Sequence, residues 1–412
     1  MDAPTRTRSA SKAPWTPWRA VVAFGVVSLA ADMVYEGMRS AAGPFLGSLG
    51  ASALTVGVVT GAGEAIALAL RLVTGPLADR SGRYWSLTFV GYALTALCVP
   101  LLALAPFLGA AGLATASVLI LLERTGKAVR SPSKSALLAR MARVVGRGRG
   151  FAVHKALDQV GAFAGPLLVA GVALLTGRLW LAFAVLAVPG VVSLLLLAQL
   201  RTQVIAGTAT DAVAAPPTPI AEAAHLPGSF YAFAWSCAAG TAGLMTFGVI
   251  SFHLVAADLL GAGVVPVVYA VAMAVEAVAA LTTGFAYDRW SARVLYCLPV
   301  LIATIPALAF SGRLWVVLVG IAVWGLATGI QDSTVKALVA DLVPQARLAT
   351  AYGVFAAFQG VAALAGGSLA GALYTHHLGV LVGAVATAQA VSLGLLVTTL
   401  RLRPAPTDGP RP

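Results

Sequence analysis

The sequence predicts an all-α polytopic membrane protein, with twelve transmembrane helices in two pseudo-symmetric six-helix bundles. Three observations carry that expectation. The chain of 412 residues is 59% hydrophobic and only 10% charged, where soluble domains run near 25% charged. Its apolar residues come in runs long enough to cross roughly 30 Å of hydrocarbon at about 1.5 Å per residue. One loop pattern occurs twice, as Gly75-Pro-Leu-Ala-Asp79-Arg80-Ser-Gly82-Arg83 and as Gly284-Phe-Ala-Tyr-Asp288-Arg289-Trp-Ser-Ala-Arg293, each between two long apolar segments. A second echo pairs Ser135-Ala-Leu-Leu-Ala139 with Lys336-Ala-Leu-Val-Ala340, and at the same offset Phe151 meets Tyr352 and Gly165 meets Gly366. Tandem apolar halves are how many secondary transporters are built.

The spans follow in order. The tail 1–17 is basic, with Arg6, Arg8 and Lys12. Together with the apolar run to Leu29-Ala-Ala31 it imitates a signal peptide. The run continues past Ala31 with its charges on one face, so the first span is expected over 18–47. The second, 52–76, runs into the first copy of the loop, and the third, 84–106, leaves it. The fourth, 110–138, ends in a loop bearing Arg140, Arg143, Arg147 and Arg149. The fifth and sixth, 150–176 and 178–200, meet at Arg178. Small residues and prolines without periodicity make 201–228 a linker between bundles 18–200 and 229–400. The second half spans 229–257, 263–287 (ending in the second loop copy), 292–311, 313–338, 348–375 and 378–400, before a tail at 401–412.

The net charge of +12 concentrates in alternate loops. It therefore reads as a topology signal, with both termini and the linker cytoplasmic, and not as a nucleic-acid surface. Cys98, Cys237 and Cys297 all fall within apolar spans. They read as buried thiols, with no disulfide framework and no metal set.

With twelve spans, duplicated halves and the doubled Gly-x3-Asp-Arg loop, the chain resembles the major facilitator superfamily over essentially its whole length. Gly75, Asp79, Arg80, Gly82 and Arg83 match the superfamily's loop signature, and Tyr84 takes its last basic position. Gly284, Asp288 and Arg289 match in the second copy, where Arg293 is shifted by one. The resemblance implies that these loops latch one conformation and release it during transport. Gly75 and Gly284 are expected to allow close helix approach, and Asp79 and Asp288 to pair with an arginine or a helix N-terminus. Gly161-x3-Gly165-Pro166 is similar to part of a motif of drug–proton antiporters; small residues four apart also promote helix packing in general. The chain further resembles a bacterial branch with Asp32-x2-Tyr35-Glu36-x2-Arg39 in the first span and Glu123-Arg124-x-Gly-Lys127 in the fourth.

Charges within spans each cost roughly 2.5–3.5 kcal/mol at a helix centre, so they are expected to face the bundle interior. Around the first helix Glu36 lies about 40° and Arg39 about 20° from Asp32, so the three share one face. Glu64 and Arg71 share a face of the second, and Glu123, Lys127 and Arg130 a stripe of the fourth. Asp158 follows His154 and Lys155 on the fifth. Asp32, Glu36, Glu64 and Glu123 are the candidate proton-coupling groups. Arg39, Arg71, Arg124, Lys127, Arg130 and Asp158 are their charge partners, and the cations among them are candidate anion-binding groups. The second half offers Glu276, Asp332 and Lys336, and its Trp235, Phe247, Tyr269 and Trp324, with Tyr35 of the first span, are candidate substrate-wall aromatics. His154 is expected at a surface.

The expected function is proton-coupled export of a small organic compound by alternating access, by a monomer in the bacterial cytoplasmic membrane, with protons and lipid as its other partners. Uptake, or movement of an anionic metabolite or metal chelate, is the alternative. The chain carries no Gly-x4-Gly-Lys-[Ser/Thr] loop, and no cofactor is expected. No Ser/His/Asp or His-x3-His arrangement supports a membrane enzyme. A sensor that has lost transport is expected to add a signalling tail, and only a short Pro-rich segment follows Leu402.

Overall fold

The computed structural model describes residues 15–207, 226–344 and 347–401. Among these the secondary structure is helical throughout, and eleven stretches are long and apolar enough to cross a membrane. The remaining crossing is α5 (Gly112–Val145), long enough but carrying the charges of the fourth predicted span. The other elements are α1 (Pro17–Ser48), α2 (Ala53–Ala69), α3 (Arg71–Ser81), α4 (Tyr84–Leu101), α6 (Arg147–Thr176), α7 (Leu179–Val185), α8 (Ala187–Gly207), α9 (Gly228–Leu244), α10 (Phe247–Ala256), α11 (Val265–Trp290), α12 (Cys297–Ala309), α13 (Leu314–Ile330), α14 (Lys336–Leu342), α15 (Leu348–Leu373) and α16 (Leu378–Arg401).

Local chemistry sets the helix ends. Thr16 caps α1 by accepting from the Arg19 amide at 3.3 Å, with Pro17 at its first position. Ser52 caps α2 in the same way through the Thr55 amide. Gly82 ends α3 at φ 63, a left-handed cap that glycine adopts without a Cβ clash.

Several crossings are interrupted, the sixth of them at Leu186 between α7 and α8. The second breaks at Leu70 between α2 and α3. The seventh breaks at Met245, whose φ of 59 separates α9 from α10. The tenth widens into a π-helical turn, Gln331–Val335, between α13 and α14. Such π turns cluster at functional sites. The sequence reading treated each crossing as continuous.

Apolar packing divides along the chain. One cluster joins residues of α9 to α16, around Phe233, Tyr269, Ile302 and Trp324. Two clusters lie mainly in α1 to α8. Val21, Leu137, Leu138 and Leu200 pack at the end where α1 begins and α8 finishes, called here the terminal end. Phe45, Leu46, Leu102 and Phe183 pack at the opposite, far end. Apolar side chains such as Leu97, Leu175, Leu195, Val278 and Phe285 stand exposed on the outside. In lipid they gain nothing from burial, so close packing must hold the helices together.

Small residues supply that packing. A Cβ on Gly161 or Gly165 would press on the α1 backbone, 2.9 Å from Leu29 Cα and 2.7 Å from Met33 Cα. At the far end Gly43 of α1 lies against Gly248 and Ser251 of α10, and Gly57 of α2 against Gly367 of α15. Thr60 and Thr246 join α2 to the seventh crossing at 2.7 Å.

Two expectations need correction. Cys98 and Cys237 are buried, but Cys297, which opens α12, is exposed. Gly75 and Gly284 face open space in this conformation, so neither mediates a close helix approach here. The tails and most of the 201–228 linker lie outside the described residues.

Candidate functional site

Between the two groups of helices lies a cavity of about 830 Å³. On α1 its lining runs from Asp32 to Arg39, and on the second crossing from Glu64 to Gly75. Ser135, Leu138, Phe151, Tyr352 and Gly353 extend it towards the terminal end. The glycine contacts of α1 with α10 and of α2 with α15 close the far end. The cavity therefore opens at the terminal end only.

Its wall carries charges of both signs. Arg39, Arg71, Lys127, Arg130, Lys134 and Lys155 face Asp32, Glu36, Glu64, Asp158, Glu276 and Asp332. The break in the seventh crossing contributes Met245 and Thr246, and the π turn contributes Gln331 and Asp332.

Glu36, Arg39, Glu64 and Arg130 join the buried Glu123 and Arg124 in a ladder along the first-half wall. Arg39 Nη2 binds Glu64 Oε1 at 3.0 Å, and its Nη1 reaches Glu36 at 3.5 Å. Arg124 Nη2 shares Glu64 Oε1 at 3.6 Å, and its Nε lies 3.7 Å from Glu123. Arg130 closes the ladder 3.9 Å from Glu123. Thr95 donates to Glu123 at 3.0 Å and accepts from Arg130 at 2.6 Å. The Tyr35 hydroxyl accepts from Arg124. Its ring lies beneath the Arg124 guanidinium at 4.5 Å and the Lys127 ammonium at 3.7 Å, both within cation–π range. Glu123 is 0% exposed, so its carboxylate sits behind the wall, away from the water-accessible part of the ladder.

One contact carries the ladder into the second half. The Tyr269 hydroxyl donates to Glu36 at 2.6 Å and accepts from Arg39 at 3.2 Å. Phe247 and Trp324 pack behind Tyr269 at ring distances of 4.6 Å from Phe247 to Tyr269 and 5.6 Å from Phe247 to Trp324.

A second cluster sits nearer the terminal end. Asp158 binds Lys134 at 3.4 Å and His154 Nδ1 at 3.5 Å. His154 Nε2 lies 3.0 Å from Ser28 Oγ, which is 2.9 Å from the Tyr92 hydroxyl. His154 is 3% exposed, which corrects the expectation of a surface histidine. Its place on α6 faces α1, and the Ser28 contact was not legible from the α6 sequence.

The structure brings the predicted charges together as a group and sorts the aromatics. Tyr35 and Trp324 line the cavity. Phe247 and Tyr269 are fully buried just behind it. Trp235 does not reach it: the side chain is 60% exposed and packs on Phe358 at the outer surface. The helical face of Trp235 was not fixed by the sequence because α9 is apolar all round. Missed by the sequence reading were Thr241, Thr246, Gln331 and Gln359, neutral polar lining residues of the second half.

The repeated motif, expected as a loop, is mostly helical: residues 75–81 end α3 and residues 284–290 end α11. In the first copy Asp79 accepts from the Tyr84 hydroxyl at 3.0 Å, and Arg140 stacks over the Tyr84 ring at 4.5 Å. Arg80, Arg83 and Arg289 are exposed, with no ion pair among the described residues. The Asp288 and Lys336 side chains lie outside the described residues. Gly161 and Gly165 pack α6 on α1 as given above, and Pro166 sits within α6.

Residues 22–275 and 252–412 match the model of the Major Facilitator Superfamily. The uncharacterized protein Rv2265 of Mycobacterium tuberculosis is 48% identical over 402 residues, covering 96% of this chain and 97% of its own. The uncharacterized protein Mb2288 of Mycobacterium bovis matches equally. Among solved structures, the nucleoside transporter NupG superposes with TM-score 0.65 at 14% identity, over 93% of this chain and 98% of its own. A bacterial homologue of the human lysosomal transporter Spinster, inward-facing and unoccupied, gives 0.65 at 14%, over 94% and 95%. The peptide transporter POT in complex with sulfate gives 0.69 at 15%, over 93% and 94%. At these identities the solved structures share the fold alone.

Proposed function

Because this chain belongs to the major facilitator superfamily, whose members are secondary transporters, we propose that it moves a small hydrophilic organic compound across the bilayer by alternating access, coupled to protons. The observation that carries this reading is the cavity wall. A ladder from Glu36 through Arg39, Glu64, Arg124 and Glu123 to Arg130 borders a cavity open at one end. A carboxylate that shares its arginine can release it on taking a proton, and the pairing then re-forms with a different geometry when the halves move. Asp32, Glu36 and Glu64 border the cavity directly and are the groups proposed to exchange protons. Glu123 lies behind the wall and supports them. A wall this polar suits a hydrophilic cargo better than an apolar one.

The positive loops support cytoplasmic termini, which makes the open end cytoplasmic and this conformation inward-facing. The cytoplasmic membrane and a monomeric state belong to the same reading. The helix ends around Asp79 and Asp288 act as its latch. Arg80 and Arg83, exposed and without an ion pair among the described residues, fit a latch released in the inward-facing state. Export by proton antiport is favoured by the Gly161–Gly165–Pro166 packing of α6 on α1. Coupled movement of an anion is the second reading, favoured by Lys127, which has no ion-pair partner among the described residues.

The test is proton movement in proteoliposomes carrying an internal pH dye, screened against a library of small metabolites. A transported compound should drive proton flux in the wild type. Glu36→Gln and Glu64→Gln should lower that flux about tenfold or more, the scale of one charge-assisted hydrogen bond, while folded yield stays high. Wild-type proton flux in both variants would remove the coupling assignment.

A further inference from the structure

Several charged groups on the cavity wall are committed to ion pairs. Arg39 and Arg130 hold Glu64 and Glu123, and Lys134 holds Asp158. Lys127 of α5 is different: among the described residues no carboxylate oxygen lies within 4.0 Å of its ammonium, which rests on the Tyr35 ring at 3.7 Å. Arg71 and Lys155 also lack an ion pair among the described residues, but both stand nearer the open end, and Lys155 is exposed. Across the cavity, Glu276 of α11 has neither an ion pair nor a side-chain hydrogen bond among the described residues. Trp324 also lines the cavity, and its indole N–H, buried in a side chain 2% exposed, has no acceptor among the described residues.

Water can reach Lys127 and Glu276, both part-exposed, while the cavity is open. Alternating access requires a closed stage in which most of that water is gone. An unpaired ion left in such a space costs several kcal/mol. The cargo is what remains to pair with it. Lys127 demands a negative group on the first-half side and Glu276 a positive one on the second-half side. The indole of Trp324 demands an acceptor atom next to them. The wall already balances the cations and carboxylates named above, so a cargo without net charge adds no unpaired charge.

We infer that the cargo is dipolar, with an acidic group held by Lys127 and a basic amine held by Glu276, so that one molecule bridges the two halves. This rests on the transport reading, though not on its direction. Asp32, another carboxylate with no ion pair among the described residues, lies on the same side as Lys127 and stays available for the proton. A cavity of about 830 Å³ falls in the range that encloses small organic ligands.

The test reads binding, not flux. The purified full chain is heated with a library of amino acids, small peptides and amino-sugar acids at millimolar concentration. Each stabilising compound is then compared with its C-terminal amide and its N-acetyl derivative. Dipolar compounds should raise the unfolding temperature, and blocking either end should weaken binding about tenfold or more. Lys127→Gln should erase the discrimination against the amide and Glu276→Gln that against the N-acetyl form. Lys127→Arg, which keeps the charge, should retain the wild-type pattern. The inference is overturned if no dipolar compound stabilises the chain, or if Lys127→Gln weakens acid and amide alike. Binding without proton-driven flux would instead remove the transport reading and leave the dipolar site standing. Flux of an uncharged compound would do the reverse.

Discussion

Tyr269 holds Glu36 and Arg39 at once, and it reaches them from the other half of the chain. Hydrogen bonds to charged groups are worth about 1.5–3 kcal/mol. If the halves separate at this depth during transport, that energy is lost in one state and kept in the other. Tyr269→Phe keeps the ring that packs on Phe247 and removes only the hydroxyl. It should leave folding intact and shift the conformational balance, seen as an altered transport rate of about tenfold or more in proteoliposomes. An unchanged rate would mean the contact is retained throughout the cycle. The face shared by Asp32, Glu36 and Arg39 was legible in the sequence because helical geometry fixes it. Their partners were not. Arg39 finds Glu64 on another helix and Tyr269 in another half, and no spacing encodes either contact. The same limit explains His154, whose burial comes from Ser28 of α1, and Trp235, whose apolar helix gives no sign of which face meets lipid.

Glycines show how one residue type takes opposite roles in different elements. A side chain on Gly165 would meet the Met33 backbone, which cannot swing aside as a side-chain tip does. Gly165→Leu should therefore cost at least the ~1–3 kcal/mol of overpacking and lower the yield of monodisperse protein on gel filtration. Gly75, facing open space, should accept alanine with normal folded yield. Full yield for Gly165→Leu would show that α1 and α6 can separate without loss. Helix positions were legible because long apolar runs bounded by arginines leave few choices. The interruptions were not. Met245 adopts φ 59 without being glycine, and the π turn at Gln331–Val335 contains neither proline nor glycine. Both sit on the cavity wall, where tertiary contacts and water re-satisfy the freed backbone groups.

At the scale of the whole molecule, the doubled motif and the echoed α5 and α14 segments revealed two related halves, but they could not reveal which end stands open. The structure shows one state: closed where Gly43 meets Gly248 and Ser251, open where Ser135 and Phe151 line the cavity. Rocking of the halves requires the closed contact to part. A bond across it should then hold the chain in one state. With the exposed Cys297 replaced by serine, cysteines at Gly43 and Ser251 can be joined by oxidation or by a short bifunctional reagent. Flux should stop on cross-linking and return on reduction of a disulfide. Meanwhile a third cysteine in place of Ser135 should stay open to a membrane-impermeant thiol reagent from the terminal side. Free flux through the cross-linked chain would mean that cargo passes without the far end opening, and a fixed pore would replace alternating access. Loss of labelling at position 135 in the cross-linked chain would show that the two ends close independently, with the cargo held in an occluded state between them.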